Sequence, residues 1–562
     1  MTRRQFAVFS FAVPLMAKES DKFEKLANDY IAKFLEARPE AATFLGEHRY
    51  DGRLSDVSAE GLKRNLAAQR QFLKRTRRLN TSKLDPVSRI DLQILKGQIE
   101  SAIWSETVLR EREWNPMSYN PGGSIYFLLE REFAPLPARL EVVRQRLDAV
   151  PAYLAAARAN LRTSTKIHAE TAIGQIGGTI NLLTTVLDGY LAQAPESRAA
   201  VSASRDKAVA ALKDWREWLQ KELVPRADKN FRLGPELFRA KLQHTLGSAL
   251  TADQIRRRGE ADLKQTQAAM YETSLKLGAA ANSDARAKVI RATLDKLAES
   301  RPDASSIVDL AKRDLVAATD FVRSKGLVSL FDSPLRIVEM PEFQRGVAVA
   351  SCASPGPLEK NGVTFFNISP PPSGWNQAQV DSYFREYNNS MTKNLVVHEA
   401  MPGHYLQRAH ANRFQAPTLT RAIFGSGTFL EGWAVYAEKV MANAGFGGPE
   451  VRMQQLKMRL RTIINALIDQ GIHAQKMTEQ QAMDLMMNEG FQEKSEAAGK
   501  WRRAQLTSTQ LSTYYAGTTE LDQLREDYEN RHAGIKDQKA FHDRMLSFGS
   551  PAPRYVRELM GL

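Results

Sequence analysis

Apolar residues recur at steps of three and four through much of the first half of the chain. Phe23, Leu26, Ala27, Tyr30, Ile31 and Phe34 form one such stripe, and Leu140, Val143, Leu147 and Val150 another. This is the period of an amphipathic α-helix, and it predicts long helices from about residue 21 to residue 326. Breaks are expected at Arg38-Pro39, Trp114-Asn115-Pro116, Asn120-Pro121-Gly122-Gly123 and Arg301-Pro302-Asp303, where proline and glycine punctuate the pattern. Between residues 333 and 372 the texture changes. Segments 335–338, 346–350 and 363–368 are short and β-rich, with Pro and Gly between them. They predict a small antiparallel sheet inside a mainly α protein. No sequence repeat of fixed period is present.

Composition narrows the class further. The chain has 562 residues, 43% of them hydrophobic and 25% charged, which excludes a mainly disordered chain, a collagen-like chain and a disulfide scaffold. Its one cysteine, Cys352, has no partner for an intramolecular disulfide. The formal charge of +14 raises the possibility of a nucleic-acid partner. Basic and acidic residues are interspersed, however, and the clusters at 74–78 (KRTRR) and 256–258 (RRR) lie in helix-like stretches without interleaved aromatics. They read as solvated helix faces, and no nucleic-acid partner is expected.

After the N-terminus no apolar run reaches the length of a membrane span, so no transmembrane segment is expected. The first residues read differently. Arg3-Arg4-Gln5-Phe6 followed by an apolar stretch at 7–17 predicts a twin-arginine export leader and a periplasmic or cell-envelope location, with a cytoplasmic N-terminus as the alternative. The expected organisation is a leader at 1–17, an N-terminal helical region at 18–332 and a catalytic region at 333–562.

The strongest chemical signal is His398-Glu399-Ala400-Met401-Pro402-Gly403-His404. The familiar zinc helix sets two histidines four residues apart, with a glutamate after the first to act on metal-polarised water. Here the spacing is six, which on a straight helix turns the second imidazole roughly 120° from the first. Pro402-Gly403 predicts a kink or bulge that returns His404 toward His398. A catalytic zinc needs a third protein ligand, and Glu431, at the start of the helix-forming stretch 431–438 (EGWAVYAE), is the best candidate. Glu438 falls near the same helix face, as a partner that orients an imidazole or as a solvated carboxylate. Met401 and Tyr405 are expected to be packing residues.

The stretches 398–407 (HEAMPGHYLQ) and 431–438 resemble the bacterial family called domain of unknown function 885, grouped with the gluzincin zinc peptidases. Segments 39–54, 231–234, 469–474, 510–517 (QLSTYYAG) and 541–549 resemble family segments in the same order. The resemblance implies a mainly α gluzincin-like body with a deep cleft, Zn²⁺ held by His398, His404 and Glu431, and Glu399 as general base. The chain departs from the common pattern at Tyr405 and at Ser508-Thr509. Among the downstream candidates Asp469, His473, Tyr514 and Tyr515, the resemblance points to Tyr514 as the oxyanion donor. His473 is expected to bind a substrate carbonyl or a peptide terminus.

The reading is therefore a zinc-dependent peptidase acting on a peptide or peptide-like substrate. The same residues also fit an amidohydrolase acting on a non-standard or cell-wall amide. A non-catalytic peptide-binding relative is the reading from a different class, and retention of Glu399 beside both histidines speaks for the enzyme.

Overall fold

The computed structural model describes residues 3–340, 349–359, 362–532 and 537–562, with side chains from Lys18 onward. The side chains of the expected leader, including Arg3, Arg4 and Phe6, lie outside the described residues, as do 346–348 of the second expected strand. The chain forms two compact units, one of Met1–Phe231 with Pro355–Gly362 and Gln415–Phe424, the other of Arg232–Ser354, Val363–Phe414 and Gly425–Leu562.

The first unit is helical. Its main elements are α1 (Arg3–Ala37), α2 (Ala59–Thr76), α3 (Pro86–Trp104), α4 (Leu136–Asn160) and α5 (Arg198–Trp218). Ser58 caps α2 by accepting the Gly61 N–H. Asp85 caps α3 by accepting the N–H groups of Val87 and Ser88, with Pro86 filling the first helical position, where a missing N–H costs nothing. The stripe Phe23, Leu26, Ala27 and Tyr30 is buried against Phe72, Leu84, Leu92, Leu95 and Ile99. Each large apolar side chain so buried contributes roughly 1.5–3 kcal/mol. Leu140, Val143, Leu147 and Val150 are fully buried on α4, which packs along α5.

The second unit carries the sheet and the chemical motifs. Its elements are α6 (Ala252–Lys276), α7 (Ile307–Lys325), β1 (Leu335–Glu339), β2 (Ala350–Ala353), β3 (Thr364–Ile368), α8 (Gln377–Glu386), α9 (Asn389–Glu399), α10 (His404–Ala411), α11 (Gly427–Asn443), α12 (Gly448–Ala474), α13 (Lys494–Leu506) and α14 (Ser512–Arg531). The sheet differs from the expected antiparallel one. Its order is β1-β3-β2, with β1 parallel to β3 and β2 antiparallel to it. The most buried strand takes the centre, and Phe366 and Ile368 are fully buried there. Patterning marks strands without giving the order or direction of their neighbours.

The change of texture at residue 333 falls within this second unit. Its core joins α7, the sheet and the motif helices through residues such as Val396, Val397, Leu406, Phe429 and Trp433. Helix α9 packs on α7, α11 and α12, while α11 runs along α14. The protein is thus mainly α with one small mixed sheet. Among the described residues no helix is long and apolar enough to cross a membrane.

Candidate metal centre

Helix α9 begins at Asn388, whose side chain accepts the Met391 N–H, and its last turn presents His398 and Glu399. The chain then leaves the helix altogether. Gly403 N donates to Val397 O at 2.9 Å, and Trp433 Nε1 donates to Pro402 O at 2.9 Å. A methyl group at Gly403 would lie 1.8 Å from His398 O, so only glycine allows the chain to fold back this closely. His404 opens a new helix, α10. The kink or bulge expected within one helix is a full break between two, and it sets the His398 and His404 rings 4.9 Å apart at 89°.

Helix α11 brings the third group. Glu431 Oε2 lies 3.4 Å from His404 Nε2 and 3.8 Å from His398 Nε2. The facing donor atoms of His398, His404 and Glu431 all lie within 4.8 Å of one another, and among the described residues this is the one group of three or more such side chains so gathered. Two imidazole nitrogens and a carboxylate oxygen around a tetrahedral zinc are separated by about 3.3 Å, given bonds of about 2.0–2.2 Å. The residues present therefore fit a zinc ion with small adjustments.

Their electrostatics agree with that fit. His398 Nδ1 faces Glu438 Oε1 at 2.7 Å, and the other oxygen of Glu438 accepts from Asn394 Nδ2 at 2.7 Å. A carboxylate can only accept here, so Nδ1 carries the hydrogen, and in the neutral ring Nε2 is left with its lone pair on the side of Glu431 and His404. Burial opposes charge on His398, but the hydrogen bond and charge of Glu438, with Glu399 and Glu431, outweigh it and raise its pKa to about 9. The surroundings thus call for a cation at this ring. Burial also works against ionising Glu431, yet the hydrogen bond from His404 and the charges of His404, His398 and Arg503 hold its carboxyl below the usual range.

These side chains line a cavity of about 510 Å³, a size ordinary for small-ligand sites. Glu399 lines it beside His398, and so do Ala350, Ser351 and Cys352 of β2, which is an edge strand among the described residues. Tyr514 lines it too. Its hydroxyl oxygen accepts from Arg503 Nη2 and from Gln510 Nε2, each at 3.3 Å. Tyr515 points away, donating its hydroxyl to Asp262 Oδ2 on α6 at 2.9 Å.

Two glycines set the approach of Tyr514 to Glu431. A methyl at Gly432 would lie 2.6 Å from Gly517 C, and one at Gly517 would lie 2.0 Å from Thr428 O. The absence of side chains lets α11 and α14 touch backbone to backbone, one residue after Glu431 and three after Tyr514.

His473 is not brought to the cavity, a departure from its expected role in binding substrate. It is 3% exposed, with Nε2 facing Ala504 O at 2.8 Å and Thr507 O at 2.7 Å, and its ring stacks on Phe238. Asp469 accepts the backbone N–H groups of Thr509 and Ser512 and the Ser512 hydroxyl. Both residues hold the entry to α14, the helix that carries Tyr514. Tyr405 donates its hydroxyl to Ser333 O at 2.6 Å and Met401 is in the core; both are packing residues, as expected.

Sequence reasoning missed several charged residues in the same cavity, among them Glu386, Arg408, Arg461, Glu496, Lys500 and Arg503. A signal was present in the spacing of Glu496, Gly499, Lys500 and Arg503, which is one helix face.

The chain resembles two solved structures, each described as that of a "putative lipoprotein". The one from Shewanella oneidensis, described as of unknown function, is 32% identical, with a TM-score of 0.81 over 96% of this chain and 100% of that one. The one from Colwellia psychrerythraea shares the fold at 16% identity, with a TM-score of 0.80 over 97% of this chain and 98% of that one. No curated protein is similar to this chain. The model of the family described as "Bacterial protein of unknown function (DUF885)" matches residues 39–560, nearly the whole length, and the chain belongs to that family.

Proposed function

We propose that the protein is a zinc-dependent peptidase of gluzincin type. The observation that carries this reading is the convergence of His398, His404 and Glu431 at the wall of a cavity that also holds Glu399. Zinc held by the three side chains would supply a Lewis acid that polarises a carbonyl and acidifies water. Glu399, adjacent to His398, takes a proton from the attacking water and returns it to the leaving amine. The two hydrogen bonds that Tyr514 accepts from Arg503 and Gln510 occupy its lone pairs. Its own proton is left to donate to the developing oxyanion. Burial and the nearby Glu431 charge raise the pKa of Tyr514, which keeps that proton in place at neutral pH. The edge of β2 beside the metal centre suits an extended peptide, which would pair with it through main-chain hydrogen bonds.

Export fits this reading. The Arg3-Arg4 pair with the apolar stretch after it, and the "putative lipoprotein" description of the Shewanella oneidensis relative, both favour a periplasmic or cell-envelope enzyme.

The reading is tested by metal analysis and by peptide digestion. Purified protein should carry about one zinc per chain, lost in folded His398→Ala and His404→Ala variants. It should cleave a mixed peptide library in a manner abolished by a chelator and restored by zinc. Full zinc retention in both variants would remove the proposed ligands from the account.

A further inference from the structure

One wall of the cavity is backed by charged side chains of α8, α12 and α13, most of them buried. Glu386, at the end of α8, accepts from Lys457 Nζ at 2.9 Å and from Arg461 Nη2 at 2.7 Å. The same Arg461 nitrogen lies 3.5 Å from Glu496 Oε1, which is 3.8 Å from Lys500 Nζ. Tyr387 completes the Glu496 site by donating its hydroxyl at 3.0 Å. Lys457, Arg461 and Lys500 thus share two carboxylates, and all three cations are at least nine-tenths buried.

Arg503 adds a further cation. It lies one turn beyond Lys500 on α13, and its Nη2 donates to Gln510 Oε1 at 2.9 Å and to the Tyr514 hydroxyl at 3.3 Å. Among the described residues no carboxylate forms an ion pair with it. Arg503 is thus without a directly paired carboxylate and Lys500 shares Glu496 with Arg461, and both cations line the cavity that holds the metal centre. Uncompensated charge away from water is costly unless a partner arrives. The strain is visible at Lys500, where burial and the charges of Arg503 and Arg461 hold the ammonium down to about 8 despite Glu496 and Glu386.

We propose that Lys500 and Arg503 form an anion site that binds a carboxylate of the peptide substrate beside the metal centre. This rests on the peptidase reading, which makes the substrate a peptide. The guanidinium offers a flat fork matched to a carboxylate, and the ammonium offers a point charge one turn away. Arg503 also touches Tyr514, so a carboxylate held here lies next to the group that would stabilise the oxyanion. The carboxylate is either the C-terminus of the peptide or an acidic side chain, and the peptides chosen for the test separate the two.

Zinc-loaded Glu399→Gln protein, which should bind without turnover, is titrated calorimetrically with three N-acetylated pentapeptides. One has neutral side chains and a free C-terminus, the second is its C-terminal amide, and the third is that amide with one glutamate. A carboxylate-bearing peptide should bind roughly 10- to 100-fold more tightly than the neutral one, as charge-assisted hydrogen bonds allow. A preference for the free acid assigns the terminus, and a preference for the glutamate peptide assigns a side chain. Adding Lys500→Gln or Arg503→Gln, with folding checked by circular dichroism, should shrink the preference to within about 3-fold. Indifference to the carboxylate, or a preference that survives both substitutions, overturns the site. Turnover by the parent protein scores the peptidase reading separately. Equal cleavage of all three peptides keeps that reading and removes the anion site, whereas a clear carboxylate preference without any cleavage does the reverse.

Discussion

Glu438 accepts the Nδ1 hydrogen of His398 at 2.7 Å, and this bond decides which nitrogen of the ring faces Glu431. Both carboxylates sit on α11, two turns apart on one face, so a single helix would supply one proposed metal ligand and the group that orients another. Because the ring is tied to α11 from behind, little reorganisation is needed when a cation arrives in front.

Glu438→Gln keeps an acceptor near His398 but removes the charge, and Glu438→Ala removes both. Zinc affinity, measured against a competing chelator, should fall by about 10-fold for the amide and up to about 100-fold for the alanine. Unchanged affinity in both would show that the bond has no part in holding the metal.

Tyr514 and Tyr515 are adjacent on α14 and diverge, one toward the cavity and the other toward Asp262. Tyr514→Phe should lower kcat by about 10²–10³ with zinc content unchanged. Tyr515→Phe should leave kcat alone and cost about 1 kcal/mol of stability through its lost hydrogen bond. The opposite pattern of kcat losses would move the oxyanion donor to the wrong neighbour for this geometry.

The gathering of His398, His404 and Glu431 was legible in the sequence because it is carried by short segments. His398, Glu399 and His404 fall within one short segment, 398–404, and Glu431 and Glu438 share one helix. Even there the backbone differed in kind, since the sequence marked an interruption at Pro402-Gly403 without showing that two helices meet there. The sheet was legible as strands but not as neighbours, because β1 and β3 pair across residues that carry no directional signal.

His473 and the cationic wall were misread or missed for a related reason. Lys457 and Arg461 on α12, like Lys500 and Arg503 on α13, look along the sequence like parts of solvated helix faces. Lys457 and Arg461 are paired in the interior with Glu386, more than 70 residues upstream in chain order. His473 resembles a lone catalytic histidine until the carbonyls of Ala504 and Thr507, contributed by a later helix end, close around it.

Lys500 gives a pH signature. Its ammonium is held at about 8 in the fold against an ordinary 10.5, by burial and by Arg503 and Arg461, with Glu496 and Glu386 opposing. Between those two values the unfolded chain binds the extra proton, so the stability contributed by this group rises with pH across that window and is least below it. Urea titrations of the parent and of Lys500→Met should therefore show the difference moving in the parent's favour from about pH 8 to about pH 10. A difference that does not vary with pH would mean that Lys500 titrates as an exposed lysine does.

The proposed metal centre is expected to cleave peptides with Glu399 as its base. The most direct measurement compares the cleavage rate of a mixed peptide library by parent and Glu399→Gln proteins brought to equal zinc occupancy, with products read by mass spectrometry. The account predicts cleavage by the parent and a loss of about 10²–10⁴ in rate for the variant, because the amide cannot take the proton from the attacking water. Equal rates for the two proteins, or no cleavage by a fully zinc-loaded parent, would contradict it.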